Sequence, residues 1–212
     1  MSLTPFPDLS LSVDGLCVTR GTRTVLRDLG FAFVGGQAVS LTGPNGVGKS
    51  TLLLTLAGLL SAEDGAITLQ IGGQPVELAE QCFLYGHRLG LKPLLTVGEN
   101  LQFWRDFAGN GRSATVEQAL DAVALTVLQD HSASILSQGQ QKRLSFARAL
   151  VAPRPIWLLD EPLASLDGDS QERITHLIDD HRGRGGLALV ATHQPLPLAG
   201  GVDLILKRGG HS

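Results

Sequence analysis

Long apolar runs are missing from this chain. A bilayer span needs about 20 consecutive apolar residues, whereas the longest such stretch, residues 52–60, is interrupted by Thr55 and Gly58, so no membrane crossing is expected. No apolar core precedes the first basic residue, Arg20, so neither is a secretory leader, and a cytoplasmic location is the expectation. Cys17 and Cys82 are the only cysteines and lack C-x-x-C spacing, which excludes a disulfide framework and points to no metal or redox chemistry. Aromatics make up 5% of the residues, no basic run interleaves with them, and the formal net charge is −3, so nucleic acid is not an expected partner. Internal repeats and low-complexity tracts are absent too.

What is present fits one globular unit with a real core, in 212 residues of which 43% are hydrophobic. Apolar and polar residues alternate over residues 9–19, and Asp14-Gly15 within them predicts a hairpin turn. Strands are predicted over 25–34 and 37–42, and a helix over 49–60. Glu63-Asp64-Gly65 breaks the chain before a strand at 66–71, and Gly72-Gly73 turns it again. Over residues 96–151 the apolar spacing becomes helical (Val97, Leu101, Trp104; Val116, Leu120, Val123), with an interruption at 109–113. Residues 156–160 are a continuous apolar run ending in acid, the pattern of a strand covered on both faces. A helix over 167–182 and strands over 187–192 and 202–206 complete an α/β pattern with an added β edge and a helical insertion.

The chemistry starts at Gly43, Pro44, Asn45, Gly46, Val47, Gly48, Lys49, Ser50 and Thr51, a complete G-x-x-x-x-G-K-[ST] phosphate loop between a predicted strand and a predicted helix. Its glycines let successive backbone N–H groups face phosphate oxygens, and the helix start adds partial positive charge. Lys49 supplies a full charge to the β- and γ-phosphates, and the Ser50 hydroxyl is a candidate Mg²⁺ ligand. The expected substrate is therefore ATP with Mg²⁺. Asp160 and Glu161 end the apolar run at 156–160, where open α/β sheets bind ligands. Asp160 is the candidate second metal anchor. Glu161 is the candidate to orient or deprotonate the attacking water, a role contributing roughly 10²- to 10⁴-fold.

Leu136-Ser137-Gln138-Gly139-Gln140, with a helix predicted over 141–151, resembles the LSGGQ signature of the nucleotide-binding subunits of ATP-binding cassette transporters. Only Gln138 departs, from a glycine. The resemblance implies a phosphate-loop NTPase fold: a mixed parallel core sheet, an antiparallel β edge and a helical subdomain. It also implies one domain over 1–212, with a core lobe of about 1–86 and 152–212 and a helical lobe of about 87–151. Ser137, Gly139 and Gln140 would close over ATP held by a second copy, giving a homodimer. Ser165-Leu166-Asp167 resembles the loop that links the two sites, and His193 the histidine that contacts the γ-phosphate and Glu161. A membrane-spanning subunit is implied as partner, with contacts expected near residues 87–95 through Leu89, Leu91, Leu94 and Leu95.

Two positions depart from the family pattern. His87 stands where a glutamine usually meets Mg²⁺ and water; imidazole can accept from water or bind the metal, but protonation sets a cation there, so hydrolysis is expected to fall at acidic pH. Arg20 stands where an adenine-stacking aromatic is usual. Its guanidinium can stack on a base, so looser nucleotide choice is expected.

Residues 85–103 (YGHRLGLKPLLTVGENLQF) are similar to the cytochrome c maturation branch of the family. That similarity implies a peripheral place on the cytoplasmic face of the inner membrane, a CcmB-like membrane subunit, and action with CcmC and CcmD. ATP would drive release of the haem chaperone CcmE. No C-x-x-C-H motif occurs, so haem would be handled by partners. Three alternatives stay open on the sequence: a transporter of other cargo, a soluble cassette ATPase, and a low-turnover regulatory module.

Overall fold

Asp14-Gly15, predicted as a hairpin turn, lies inside a continuous strand in the computed structural model, which describes residues 5–109, 113–193 and 201–207. Strand β1 (Leu9–Arg20) pairs antiparallel with β2 (Arg23–Val34) on one side and β4 (Asp64–Ile71) on the other, with register shifts on both sides near Gly15. The sequence explains the shift. Leu9, Leu11 and Val13 are two apart, but the next buried residue is Leu16, three on, so a bulge is needed to return the chain to its core-facing phase. Gly15 takes it in the left-handed region at φ 59°, and the expected break at 63–65 is instead the start of β4. The actual hairpin closes after Arg20, which pairs with Arg23 across Gly21.

These strands and β5 (Gln74–Val76) form a four-stranded sheet, order β2-β1-β4-β5. Gly72 and Gly73, both at positive φ, make the expected turn between β4 and β5.

The second sheet has five parallel strands in the order β6-β7-β8-β3-β9: Cys82–Tyr85, Ile156–Asp160, Leu187–Ala191, Ala38–Thr42 and Val202–Ile205. Its middle strands are mostly apolar, with Ser40 the one polar residue short of their carboxyl ends, because both faces are covered. Trp157 and Leu159 of β7 pack with the helices on one side, whereas Ile156 and Leu158 pack towards α1 (Lys49–Leu56) and the antiparallel sheet on the other.

Helix α1 ends four residues before the predicted point. Gly58 N–H bonds to the Thr55 carbonyl at 3.0 Å and Leu59 N–H to that of Leu54 at 2.9 Å, a Schellman closure.

Helices α2 (Val97–Phe107), α3 (Val116–Ala122) and α4 (Gln138–Val151) follow the helical periods, and part of the predicted interruption at 109–113 lies outside the described residues. Each begins with a capping box, Thr96 with Glu99, Thr115 with Gln118 and Ser137 with Gln140, which satisfies two orphan N–H groups per helix. Helix α5 (Gly168–Gly183) is capped by Asp167.

The interior holds one unexpected group. His181, near the end of α5, is fully buried and stacks on Trp157 at 4.0 Å with 10° between the planes, and neither ring nitrogen has a hydrogen-bond partner. Loss of hydration, with Arg184 adding repulsion, pulls its pKa from 6.5 to about 3. Between these values the unfolded chain binds a proton that the folded one refuses, so this residue lowers stability as pH falls from 6.5 towards 3. The expected slope is about 1.4 kcal/mol per pH unit. Urea unfolding at pH 7 to 4 should show it, and His181→Leu should remove that part of the slope. An unchanged slope in the variant would show that the ring is not kept neutral.

Candidate active site

Strand β3 delivers the phosphate loop at the carboxyl end of the parallel sheet. The loop turns tightly, with Val47 N–H bonded to the Pro44 carbonyl at 3.2 Å, and the buried Val47 side chain ties it to the core. Two of its glycines show what the fold demands. A Cβ on Gly48 would come within 2.7 Å of Leu26 Cδ2, so β2 presses directly on the helix start. Gly46, at φ 72°, has nothing within 4 Å of such a position, so it lies open on the cleft side.

Lys49 is 8% exposed and donates to the carbonyls of Gly43 at 2.8 Å and Pro44 at 3.5 Å. Among the described residues no carboxylate lies within ion-pair distance of it, so its charge remains available to an anion in the loop.

A cleft of about 390 Å³ brings together Arg20, Asn45, Gly46, Gly48, Lys49, Ser50, Thr51, His87, Asp160, Glu161 and His193, with Val25 as an addition the sequence gave no sign of. Gly43, Pro44 and Val47 shape the loop without lining that cleft.

Sheet order makes this convergence possible. Asp160 is level with Ala191, and Ala191 with Leu41, so the ends of β7, β8 and β3 meet side by side. Glu161, the next residue, sits at φ 49°, a left-handed conformation that costs a side-chain-bearing residue on the order of 1 kcal/mol. Its N–H bonds to the Ala191 carbonyl at 2.9 Å, which fixes the turn. Its Oε1 is buried without a hydrogen bond and lies 3.4 Å from His193 Nε2. A carboxylate oxygen with spare acceptor capacity beside an imidazole can take a proton from a water in the cleft.

The residues present fit Mg²⁺ as a shared ligand rather than a caged one. Ser50 is an exposed hydroxyl at the start of α1 and Asp160 a half-buried carboxylate in the same cleft. No group of three His, Cys, Asp or Glu side chains among the described residues could hold a metal ion. One or two protein oxygens completed by phosphate and water are the usual arrangement for Mg²⁺. His87 is exposed and lines the cleft.

Ser137, Gly139, Gln140 and Asp167 do not line this cleft. Ser137 is the N-cap of α4: its Oγ accepts from Gln140 N–H at 3.3 Å, while Gln140 Oε1 accepts from Ser137 N–H at 2.8 Å. The signature is thus also a capping box, which commits the Gln140 carbonyl oxygen to the helix start. Asp167 caps α5 by accepting from Ser170 N–H at 2.8 Å, and the hydrogen bonds from Ser170 hold its carboxyl below the usual range. Gln171, unmarked in the sequence, donates to the carbonyls of Leu163 and Leu166 and so fixes the loop between Glu161 and Asp167.

The four leucines expected as an exposed apolar contact are not equivalent. Leu89 and Leu91 pack on the core, and Leu89 is held through its carbonyl by Ser145 at 2.7 Å and Arg148 at 2.6 Å. Leu95 is half-buried, and only Leu94, 96% exposed, is free for a partner. Core packing took the others.

The pattern of the family described as ABC transporter matches residues 26–164. The chain belongs to the ABC transporter family. Its curated relatives include the cytochrome c biogenesis ATP-binding export protein CcmA of Nitrobacter winogradskyi, 48% identical over 90% of this chain and 95% of that protein. The protein of the same description from Rhodopseudomonas palustris is 48% identical over 89% and 94%. An ATP-binding cassette solved as a dimer in a post-hydrolysis state with ADP and Pi is 26% identical, with TM-score 0.74 over 87% of this chain and 88% of that one. A putative ABC transporter ATP-binding protein of Pyrococcus furiosus shares the fold at TM-score 0.78 and 24% identity, covering 93% and 97%. Membership of this family makes the chain an ATP-hydrolysing subunit.

The turn at Glu161 yields a test that separates backbone from carboxylate. Glycine adopts this conformation freely, so Glu161→Gly should be more stable than Glu161→Ala by about 1 kcal/mol in urea unfolding, with both variants inactive. Equal stabilities would mean that the turn carries no strain.

Proposed function

We propose that the chain powers a cytochrome c maturation export complex by hydrolysing ATP in a pocket shared between two copies. The observation that carries this reading is the separation within one protomer: the cleft holds Lys49, Ser50, Asp160 and Glu161, while the signature at Ser137 and Gly139 lies outside it. A phosphate-gripping helix start with no nucleotide in reach in its own chain has use only against a second copy related by two-fold symmetry. The solved dimer of a related cassette supports that arrangement.

In this reading the loop amides and Lys49 hold the β- and γ-phosphates, and the partner's signature closes over them. Ser50 and Asp160 would hold Mg²⁺, which would supply positive charge at the phosphates. Glu161 accepts a proton from the attacking water, and His193 orients Glu161 and senses the γ-phosphate. His87 positions the water, and Asp167 links the two pockets. ATP bridges the copies only when they are closed, so binding shifts the equilibrium to closure, and loss of the γ-phosphate releases it.

Residues of about 87–151, proposed to move as a helical lobe, carry that motion to a CcmB-like membrane subunit acting with CcmC, CcmD and the haem chaperone CcmE. The contact surface takes in Leu94 and a groove of about 890 Å³, where Arg88, Arg148 and Arg154 line the same space as Trp104 and Phe107. The curated relatives named as export proteins in cytochrome c biogenesis support this assignment. The inner membrane's cytoplasmic face is the proposed location.

Steady-state ATPase of the chain together with its membrane subunit tests the reading. Lys49→Ala and Glu161→Gln should each lower turnover at least 100-fold, and Ser137→Arg should abolish nucleotide-driven dimerisation by light scattering while leaving nucleotide binding to the monomer. Dimerisation and turnover that survive Ser137→Arg would falsify the shared pocket. His87→Ala should lower turnover, and turnover equal to the wild type would remove His87 from the water-positioning role.

A further inference from the structure

The turn between Glu161 and Asp167 is held in shape from outside. Glu161 at φ 49° and Ser165 at φ 58° both carry side chains into the left-handed region, a conformation that persists only where surrounding contacts impose it. Inside the turn, Ala164 N–H reaches the Glu161 carbonyl at 3.2 Å and Leu166 N–H that of Leu163 at 3.4 Å, both at the long end for such bonds. Three elements supply the rest. The Ala191 carbonyl of β8 accepts from Glu161 N–H, and Gln171 of α5 donates to the carbonyls of Leu163 and Leu166. The third is α4, whose Lys142 donates through Nζ to the Ala164 carbonyl at 2.6 Å. Helix α5 packs on the sheet through Ile174 and Ile178, whereas α4 begins at the signature, with Lys142 three residues beyond Gly139. Arg143, next along, is engaged by the carbonyls of Val123 and Ala124, so only its field reaches Asp167.

We propose that Lys142 is a positioning residue for Glu161: by gripping the Ala164 carbonyl, it ties the water-activating turn of one copy to the helix whose start that same copy lays over its partner's nucleotide. The inference rests on the reading of the signature as one half of a shared pocket. Lys142 does not line the nucleotide cleft, so it acts through the turn and not on the phosphates. An ammonium-to-carbonyl bond is charge-assisted and of the stronger kind. From Ala164 the N–H leads directly to the Glu161 carbonyl, so a displacement of α4 reaches Glu161 through two hydrogen bonds. Loss of the ammonium leaves a strained turn with one restraint fewer, and a reacting group misplaced by about 1 Å can cost on the order of 10²-fold in rate. Methionine keeps most of the stem at this position but not the donor.

Turnover of the chain with its membrane subunit, read beside nucleotide-driven pairing by light scattering, tests this. Lys142→Met should lower kcat roughly fivefold or more, while KM for ATP and the nucleotide dependence of pairing stay within about twofold of the wild type. Lys142→Arg, which keeps a charged donor, should return kcat to within about twofold. Because the residue acts through Glu161, adding Lys142→Met to Glu161→Gln should slow single-turnover hydrolysis by less than about twofold further. An unchanged kcat in Lys142→Met overturns the inference, as does pairing weakened in step with kcat, no recovery in Lys142→Arg, or the full loss repeated in the double variant. Ser137→Arg keeps the two levels apart. If its dimerisation survives, the shared pocket itself falls; if its dimerisation is lost while Lys142→Met turns over like the wild type, only the role of Lys142 falls.

Discussion

Everything at the site depends on the register of three parallel strands. Asp160 lies level with Ala191 and Ala191 with Leu41, so β8 acts as a spacer of one strand width between the acidic pair and the phosphate loop. Neighbouring strands are about 4.8 Å apart, so the ends of β7 and β3 are roughly 10 Å apart. That gap suits a phosphate with a metal ion and a water between the two loops. A one-residue slip of β7 would invert every side chain, sending Trp157 to the face of Ile156 and carrying Asp160 away from the loop. The apolar side chains of β7 and β8, buried on both faces, hold that register and thereby the site.

The phosphate loop, the acidic pair and the strand that bears it were legible in the sequence because each rests on local chemistry: glycines before a lysine, or apolar residues ending in acid. Strand β7 falls at the residues expected. Asp14-Gly15 misled for the opposite reason, since the dipeptide has the local chemistry of a turn but the phase of Leu16 and Val18, decided by pairing with both β2 and β4, required a bulge. Leu89 and Leu91 misled similarly. Their apolar character was visible, but whether it faced outward depended on α4, whose Ser145 and Arg148 reach back from more than fifty positions along the chain. Gln171 and Val25 had no signal at all, because a lone glutamine on a helix and a lone valine on a strand are ordinary.

The signature shows one set of atoms serving two tasks. Ser137 Oγ accepts from the Gln140 amide, which starts α4 where it does and aims the first turn outward. An accepting hydroxyl still has its own proton to donate, and the Gly139 amide, in the first turn, has no intrahelical carbonyl to reach. The cap therefore orients donors without consuming them. Gln140, whose side-chain carbonyl oxygen closes the box, helps set that orientation.

Closure follows from what a single copy leaves undone. His193 is 51% exposed at its side chain and Glu161 32%, so in one protomer the water-activating end of the cleft opens to solvent. Phosphate contacts from Lys49 and the loop amides are diluted there by water's dielectric. A second copy laid over this end would exclude water, strengthen each of those contacts and bring the idle Gly139 amide to the γ-phosphate at once. In the proposed shared pocket, binding energy for the nucleotide would thus grow with closure, since both copies would touch the γ-phosphate. Hydrolysis would remove that part, so the energy holding the pair shut would vanish in the step that the enclosure promotes.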